Sequence, residues 1–318
     1  MEKNLKGKRI LVSGGGGGSA AYWCKYLAEQ GAHVLVNDVG YVQDESMGGD
    51  YNINLRTHES ADNVVKAIRD SGGIAEADYE DVSEMNGAAH AVEHCLDVFG
   101  GVDILLNATC VSRLNECIDL TAEEWDIVIK NNLYPAFNLS KQVLPHMIKQ
   151  QWGRLLYTTS AVIRSFWGSV NYAAAYAGVY SLMRCIANEV RPDHITANCI
   201  EPSAAGKTGR RSSGVEYLER RMRALGLSED AGKKIVGTTP PASALSPFIA
   251  YLCTEEASNI TGQNFALCGG RYGIYGTLEE KRYIYKAPSM GDWTVEELKE
   301  IMPHTLEQDM TKLWYIRN

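Results

Sequence analysis

Short apolar runs alternate with longer amphipathic segments along most of the chain. The runs are rich in Val, Ile and Leu, which is typical of buried strands, and they lie at residues 9–13, 33–37, 74–78, 102–107, 154–158, 195–200 and 264–267. The segments between them carry apolar positions at helical spacing and predict helices at 20–30, 60–71, 86–99, from 121 onward, 171–190 and 241–254. Because strands and helices alternate, the pattern predicts an α/β fold, a doubly wound parallel sheet of seven strands with crossover helices.

Two segments interrupt this alternation. Residues 40–58 form a polar insertion after the second strand, and residues 276–318 form a tail without strand alternation. Within the tail, Thr294 and Glu297 have the spacing of a capping box, which predicts a helix start. We therefore expect a main domain at 1–275 and a C-terminal helical extension at 276–318. The extension is expected to pack on its own or a neighbouring subunit through its large apolar residues, Trp293, Leu313, Trp314 and Tyr315.

Composition and charge narrow the choice of partners. The 318 residues are 45% hydrophobic and 22% charged, as in ordinary globular proteins. The net charge of −8 argues against a general nucleic-acid surface, which needs a basic footprint. Neither a membrane-spanning run nor the apolar core of a signal peptide is evident, so we expect no membrane partner and a cytoplasmic location. The eight cysteines lack metal-clamp spacing, so we expect reduced thiols and no metal site.

A glycine run connects the first predicted strand to the first predicted helix. Glycines at such a position let the backbone approach a pyrophosphate, and the helix N-terminus supplies N–H groups and a positive dipole. An acid, Asp38, ends the second predicted strand, where a carboxylate accepts hydrogen bonds from ribose hydroxyls and repels a 2′-phosphate. The pattern predicts a dinucleotide site that prefers NAD(H), with contacts from Ser13, Gly14, Gly16, Gly18, Ser19 and Asp38.

From about residue 5 to 272 the sequence resembles the short-chain dehydrogenase/reductase family. The family's T-G-x-x-x-G-x-G motif corresponds to residues 13–20, and its N-N-A-G motif is degraded to Asn107-Ala108-Thr109-Cys110. The resemblance implies a Rossmann fold and adds Asp81, Val82, Asn107 and Pro202 to the cofactor site. The sequence Asn37-Asp38-Val39-Gly40, followed by a polar insertion, resembles the 3-hydroxyacyl-CoA dehydrogenase domain of peroxisomal multifunctional enzymes.

The same resemblance implies a catalytic set. The family transfers a hydride between nicotinamide and a carbonyl or carbinol carbon, with a tyrosine as acid or base and a serine to hold the substrate oxygen. Tyr172 matches the tyrosine, Asn132 matches the asparagine of the preceding long helix, and the serine falls at Ser160, with Thr159 as the alternative. Four residues after Tyr172, where the family has lysine, this chain has Tyr176.

The missing lysine leaves two interpretations open. The family lysine binds the nicotinamide ribose and lowers the tyrosine pKa. In the first interpretation Tyr176 takes this place as a cofactor-binding residue, with a hydroxyl on the same helical face but without a charge. Alternatively, Tyr172, Tyr176 and Tyr180 form a stripe that only packs against another helix.

We therefore carry two functional hypotheses. The first is an NAD(H)-dependent oxidoreductase that mainly reduces a small-molecule ketone, either an acyl-CoA thioester or a bulky ring ketone. The second is a catalytically silent subunit that partners an active relative. Both allow a homo-oligomer, a dimer or tetramer, formed through the long helix that starts near Thr121 and the helix of Tyr172.

Three basic residues follow the sixth predicted strand: Lys207, Arg210 and Arg211. They either meet an anionic substrate group or are simply solvated.

Overall fold

The computed structural model describes residues 3–43, 51–164, 168–204, 240–278, 280 and 282–306. The chain divides into two compact units, Met1–Tyr275 and Gly276–Asn318. Several residues of the sequence analysis lie outside the described part: the basic residues Lys207, Arg210 and Arg211 and the apolar residues Leu313, Trp314 and Tyr315.

An eight-stranded sheet forms the centre of the first unit. Its strands are β1 (Arg9–Ser13), β2 (His33–Asn37), β5 (Ile74–Asp78), β6 (Ile104–Asn107), β7 (Gly153–Thr158), β8 (Ile195–Pro202), β9 (Asn264–Cys268) and β10 (Arg271–Ile274). Their order across the sheet is β10-β9-β8-β7-β6-β1-β2-β5, and every neighbouring pair except β9 with β10 is parallel. The order reverses on either side of β1, which is the arrangement of a doubly wound fold.

The eighth strand corrects the predicted sheet of seven parallel strands. β10 pairs antiparallel with β9 in a register that places Arg271 opposite Cys268, so only Gly269 and Gly270 form the turn. Such two-residue hairpin turns favour glycine because they need positive φ angles, and Gly269 has a φ of 57°. The predicted strand ends at residue 267 because glycines follow it, and β10 is a four-residue edge strand whose apolar residues Tyr272 and Ile274 are exposed.

The polar insertion after β2 also contains regular structure that its pattern did not predict. β3 (Tyr41–Gln43) and β4 (Tyr51–Arg56) pair antiparallel and form a separate two-stranded sheet, here named the insertion hairpin. Tyr41, Val42 and the residues of β4 are half-buried or exposed rather than buried, so this part of the sequence lacks the apolar run that marks a core strand.

Helices cover both faces of the main sheet. One face carries α1 (Ala20–Glu29), α2 (Glu59–Asp70) and α7 (Ser246–Leu252), and the other carries α3 (Met85–Phe99), α5 (Tyr134–Gln150) and α6 (Val170–Glu189). Alternate strand residues lie on opposite faces of the sheet. Ile10 and Val12 of β1 pack in the core beneath α1 and α2, and Leu11 packs in the core beneath α3 and α5. This two-sided burial explains why the parallel strands read as continuous apolar runs.

The helix predicted from residue 121 is two consecutive helices. Thr121 and Glu124 form the predicted capping box at the start of α4 (Ala122–Asn132). The chain then passes through Leu133 into α5, which has Pro135 in its first turn, a position that proline favours. The helix predicted at 241–254 is a 3-10 helix at Ala242–Leu245 followed by α7.

In the second unit, the predicted capping box of Thr294 and Glu297 is present and starts α8 (Val295–Ile301). Among the helices that the structure describes, none is long and apolar enough to cross a membrane.

Candidate active site

The candidate residues gather along the carboxyl edge of the main sheet. Parallel strands bring their carboxyl ends to one edge, where doubly wound folds bind their ligands. The glycine run follows β1, Asp38 follows β2 and Asp81 follows β5. Cys110 follows β6, Ser160 follows β7, and Pro202 is the last residue of β8.

The glycine run is closely packed against its surroundings at two positions. Gly14 has a φ of 69°, and a Cβ atom there would lie 2.8 Å from the carbonyl oxygen of Ala108. A Cβ atom on Gly16 would lie 2.8 Å both from the Asp38 carboxylate and from the Ala61 backbone nitrogen. Side chains at these positions would therefore displace the loop from the sheet edge.

The start of α1 fits a diphosphate group. Ser19 occupies the N-cap without a side-chain hydrogen bond, and the first turn contains no acidic residue. A Cβ atom on Gly18 would meet nothing within 4 Å, so this side of the loop is open. The N–H groups of Ala21 and Tyr22 already donate to the Gly17 and Ser19 carbonyl oxygens, so the helix dipole is the feature that favours an anion at this position.

Asp38 lies at the centre of this region. Its two carboxylate oxygens accept hydrogen bonds from the backbone N–H groups of Gly16 and Gly40, at 2.9 and 2.8 Å. Burial raises the pKa of Asp38, and these two N–H groups oppose that rise. A carboxylate oxygen has further lone pairs, so Asp38 can still accept ribose hydroxyls while it fixes the glycine loop.

The second acid of the predicted nucleotide site already has a partner. Asp81 accepts the Ser83 backbone N–H and hydroxyl on one oxygen and the Arg56 guanidinium, at 2.9 Å, on the other. Arg56 belongs to the insertion hairpin and also lies over the Tyr41 ring, 5.3 Å from its centroid. The neighbouring Val82 is buried, and its carbonyl oxygen accepts a hydrogen bond from the Asn138 side chain.

The insertion hairpin also reaches the glycine loop. The Tyr51 hydroxyl lies 3.8 Å from the position of a Cβ atom on Gly17. Burial, together with the nearby Cys110 and Asp38, raises the pKa of Tyr51 to about 12. The Arg113 guanidinium donates a hydrogen bond of 2.6 Å to the Tyr51 carbonyl oxygen, which fixes the hairpin over the loop that follows β6.

Two asparagines hold the segment after β6 in place. The Asn107 side-chain oxygen accepts hydrogen bonds from the Ser13 hydroxyl at 2.7 Å and the Thr109 hydroxyl at 3.1 Å. Asn132, at the end of α4, both accepts from the Val111 N–H and donates to the Val111 carbonyl oxygen, each at 2.7 Å. Asn132 is therefore a positioning residue for residues 107–111, even though that segment lacks the glycine turn of the family.

The structure separates the two candidate hydroxyls after β7. The Thr159 side chain is buried and donates to the Ile200 carbonyl oxygen and the Asn264 side-chain oxygen, at 3.3 and 3.0 Å. The Ser160 hydroxyl is half-buried and accepts a long hydrogen bond of 3.5 Å from the Val162 N–H. The following 3-10 helix packs against α6, which carries Tyr172. Ser160 is therefore the better placed of the two hydroxyls for a substrate oxygen.

Tyr172 and Tyr176 lie side by side on α6. Their ring centroids are 4.7 Å apart with an edge-on angle of 74°, and the Tyr176 hydroxyl donates to the Thr109 carbonyl oxygen at 3.3 Å. Tyr176 is only 2% exposed and joins the apolar core, against which Tyr172 and Tyr180 also pack. The tyrosine stripe thus lies against the apolar core, and its second member also bonds the segment after β6.

Burial controls the protonation of both phenols. It raises the pKa of Tyr172 and of Tyr176 well above the ordinary value, and the neighbouring Cys110 raises both further. Each phenol is therefore protonated across physiological pH. A protonated phenol can donate a proton to an oxygen atom that is becoming an alkoxide.

Three residues of this region, Cys110, Tyr51 and Arg56, were not predicted from the sequence. The Cys110 sulfur lies 3.0 Å from the Tyr172 hydroxyl oxygen, whereas in the sequence Cys110 is only the last residue of a degraded motif. Its place at the end of that motif was the available signal. The hairpin residues Tyr51 and Arg56 gave no such signal, because their proximity to the glycine loop and Asp81 depends on the antiparallel pairing of β3 with β4.

The short chain dehydrogenase family model matches residues 8–214, more than half of the chain. The chain therefore belongs to the short chain dehydrogenase family and is an oxidoreductase enzyme. The crystal structure of a short chain dehydrogenase from Mycobacterium avium superposes with a TM-score of 0.78 and 25% sequence identity, over 98% of both chains.

Three curated relatives extend this family assignment. A short-chain type dehydrogenase/reductase of Mycobacterium tuberculosis is 32% identical over 288 residues, which are 89% of this chain and 90% of that protein. Mouse peroxisomal multifunctional enzyme type 2 is 32% identical over 257 residues, 80% of this chain but only 31% of that protein. A 3-oxoacyl-(acyl-carrier-protein) reductase of Vibrio cholerae is 30% identical over 281 residues, 85% of this chain and 100% of that protein. The resemblance drawn from the motifs is confirmed.

Proposed function

We propose that the chain is an NAD(H)-dependent reductase that converts a small-molecule ketone to an alcohol. The observation that carries this proposal is the position of Tyr172, whose hydroxyl lies beside the segment after β6 on the same sheet edge as the glycine loop and Asp38. Burial raises the pKa of Tyr172, so the phenol keeps the proton that it would donate. When bound, the reduced nicotinamide supplies the hydride that reaches the carbonyl carbon.

The residues of the chain take separate parts in this reaction. Tyr172 donates its hydroxyl proton to the carbonyl oxygen as that oxygen gains negative charge. Ser160 hydrogen-bonds the same oxygen and orients it. Asn132 keeps the segment after β6 against this site through its two bonds to Val111. Tyr176 supplies no charge to stabilise a Tyr172 phenolate, so donation of a proton is favoured over its removal from an alcohol.

The substrate class rests on the names of the relatives. The Vibrio cholerae relative is named for a 3-oxoacyl group on acyl carrier protein, and the mouse relative is a peroxisomal multifunctional enzyme. These names support a 3-oxoacyl thioester as the first substrate to test, with a bulky ring ketone as the second. The cytoplasm is the proposed location, and the peroxisome of the mouse relative is the alternative.

Cofactor choice is the part of the proposal that binding can test directly. The Asp38 carboxylate disfavours a 2′-phosphate nearby, and the charge of Arg56, which could favour one, is paired with Asp81. We expect NADH to bind the purified chain at least about tenfold more tightly than NADPH, a ratio worth about 1.4 kcal/mol.

The experiment is a fluorescence titration with both cofactors, repeated on Asp38→Asn and on the control Asp70→Asn. Asp70 is an exposed acid on α2, paired with Lys66. Asp38→Asn should reduce the preference for NADH, whereas Asp70→Asn should keep it. Equal or tighter binding of NADPH by the unaltered chain would overturn the assignment.

A second candidate function is a catalytically silent subunit that assembles with an active relative. The replacement of the family lysine by Tyr176 favours it, as does the packing of Tyr51 beside Gly17. The same titration separates the two functions, because a subunit without catalysis has no need to bind NADH. Micromolar or tighter binding of NADH supports the reductase, and no binding supports the silent subunit.

A further inference from the structure

The Cys110 thiol lies beside Tyr172 but is outside the family catalytic set. Its sulfur is 3.0 Å from the Tyr172 hydroxyl oxygen, a distance at which either group can donate to the other. The position is fixed rather than incidental, because Asn132 bonds both backbone groups of the adjacent Val111. Cys110 is also exposed, unlike the buried Tyr176.

Tyr172 must be reprotonated after each turnover, and this chain has no lysine at position 176 to assist that step. After Tyr172 gives its proton to the substrate oxygen, a phenolate remains in a site where burial disfavours charge. Tyr176 is only 2% exposed and directs its hydroxyl to the Thr109 carbonyl oxygen, so it offers no direct route to water. Every new catalytic cycle needs a proton to return to Tyr172 from solvent.

We propose that Cys110 is a proton relay that connects solvent to Tyr172. The proposal rests on the reductase function proposed above. In the reaction, a hydride from the reduced nicotinamide cofactor adds to the carbonyl carbon, and the Tyr172 proton goes to the carbonyl oxygen. The S–H bond of Cys110 then breaks, its proton forms the O–H bond of Tyr172, and the thiolate takes a proton from water. An ordinary thiol is more acidic than an ordinary phenol, so the transfer to phenolate is downhill.

A proton relay through Cys110 predicts that the first turnover and the later turnovers respond differently to loss of the thiol, whereas a purely structural role of Cys110 predicts that both respond alike. The first turnover uses the proton already on Tyr172, so Cys110→Ala should keep the rate of a single stopped-flow turnover within about twofold. Later turnovers need the relay, so steady-state kcat should fall by about tenfold or more. KM for the ketone should fall in proportion, because the slowed step follows the chemistry and leaves kcat/KM unchanged. Cys110→Ser, which keeps a hydroxyl, should recover part of the loss. Cys185→Ala, an exposed cysteine on the same helix as Tyr172, is the matched control and should behave as the unaltered enzyme.

A second readout does not depend on turnover. Alkylation of Cys110 by iodoacetamide, followed by peptide mass spectrometry, reports its contact with Tyr172 in the full chain. A phenol that donates to a thiolate stabilises it, so Tyr172→Phe should slow alkylation of Cys110 about threefold and leave Cys185 unchanged.

The outcomes distinguish the relay from the proposed function. A steady-state kcat of Cys110→Ala equal to that of the unaltered enzyme overturns the relay and leaves the reductase intact. Equal slowing of the first and later turnovers overturns it in favour of a structural role. Alkylation of Cys110 that is identical with and without the Tyr172 hydroxyl also overturns the relay. If the unaltered chain reduces no ketone, the reductase proposal fails, and with it the relay.

Discussion

At position 176 a phenol stands four residues after Tyr172, and its hydroxyl bonds the Thr109 carbonyl oxygen at 3.3 Å. A lysine at this position would place an ammonium group near Tyr172 and lower its pKa. With the phenol, burial is the largest influence on the pKa of Tyr172, and it raises the pKa. Tyrosine in place of lysine at position 176 therefore favours ketone reduction, the direction in which Tyr172 donates a proton.

The pH dependence of the two directions follows from this shift. Reduction uses protonated Tyr172, so its rate should not depend on this group between pH 6 and 9. Oxidation needs the phenolate, which is at most about one molecule in a thousand at pH 7 and rises tenfold per pH unit until the pH passes the pKa. Oxidation should therefore keep rising beyond pH 9.

Tyr176→Lys tests the same point. The new ammonium should lower the pKa of Tyr172 and raise alcohol oxidation at pH 7 more than ketone reduction, when initial rates are measured far from equilibrium. Tyr176→Phe, which removes the hydroxyl without adding a charge, is the control and should not raise oxidation. An unchanged pH profile for oxidation in Tyr176→Lys would show that position 176 does not influence the phenol.

The elements of the sheet were predictable to the extent that burial leaves a pattern in the sequence. The strands β1, β2, β5 and β9 begin where the apolar runs begin, because both faces of the sheet are covered. β3, β4 and β10 were not predicted, because most of their side chains are half-buried or exposed and form no buried apolar run. The site residues were likewise predictable only in part. Asp38 was predictable from its position at a strand end. The contact of Cys110 with Tyr172 was not, because it depends on the three-dimensional path of the segment after β6.

The glycine loop between β1 and α1 gives a test at the scale of an element. Gly16→Ala would place its Cβ atom 2.8 Å from the Asp38 carboxylate and from the Ala61 nitrogen, so the loop or α2 must shift. We expect a loss of about 1–3 kcal/mol in the free energy of unfolding and weaker NADH binding.

Gly17→Ala is the matched control for the glycine loop. Its Cβ atom would find the Tyr51 hydroxyl at an ordinary distance of 3.8 Å, so the free energy of unfolding should change by less than about 0.5 kcal/mol. Circular dichroism during thermal and urea unfolding gives both values. Equal stability of the two variants would contradict the close packing of Gly16.

For the whole molecule, large apolar side chains are exposed on the helices of one face of the sheet. Trp125 of α4, Tyr134 and Phe137 of α5, and Val170 of α6 are each between 38% and 49% exposed. Exposed apolar groups that lie on neighbouring helices are typical of interaction surfaces. We therefore propose a homo-oligomer, a dimer or tetramer, that buries this helical surface.

Light scattering at micromolar concentration should give at least twice the mass of one chain. Phe137→Glu should lower that mass to the monomer value, because a carboxylate buried in an apolar interface is costly. Tyr251→Glu, at an exposed position of α7 on the opposite face, should leave the mass unchanged. A monomeric unaltered chain would refute the assembly, and dissociation by Tyr251→Glu alone would place the interface elsewhere.

The most direct test of the account is a single turnover of NADH with a 3-oxoacyl thioester, compared between the unaltered chain and Tyr172→Phe. The variant removes only the hydroxyl, while the ring can keep its edge-on packing against Tyr176. The account predicts that NADH binds both proteins equally, and that the variant loses at least about a hundredfold in the rate of NADH oxidation. A variant that oxidises NADH as fast as the unaltered chain would contradict the assignment of Tyr172 as the proton donor.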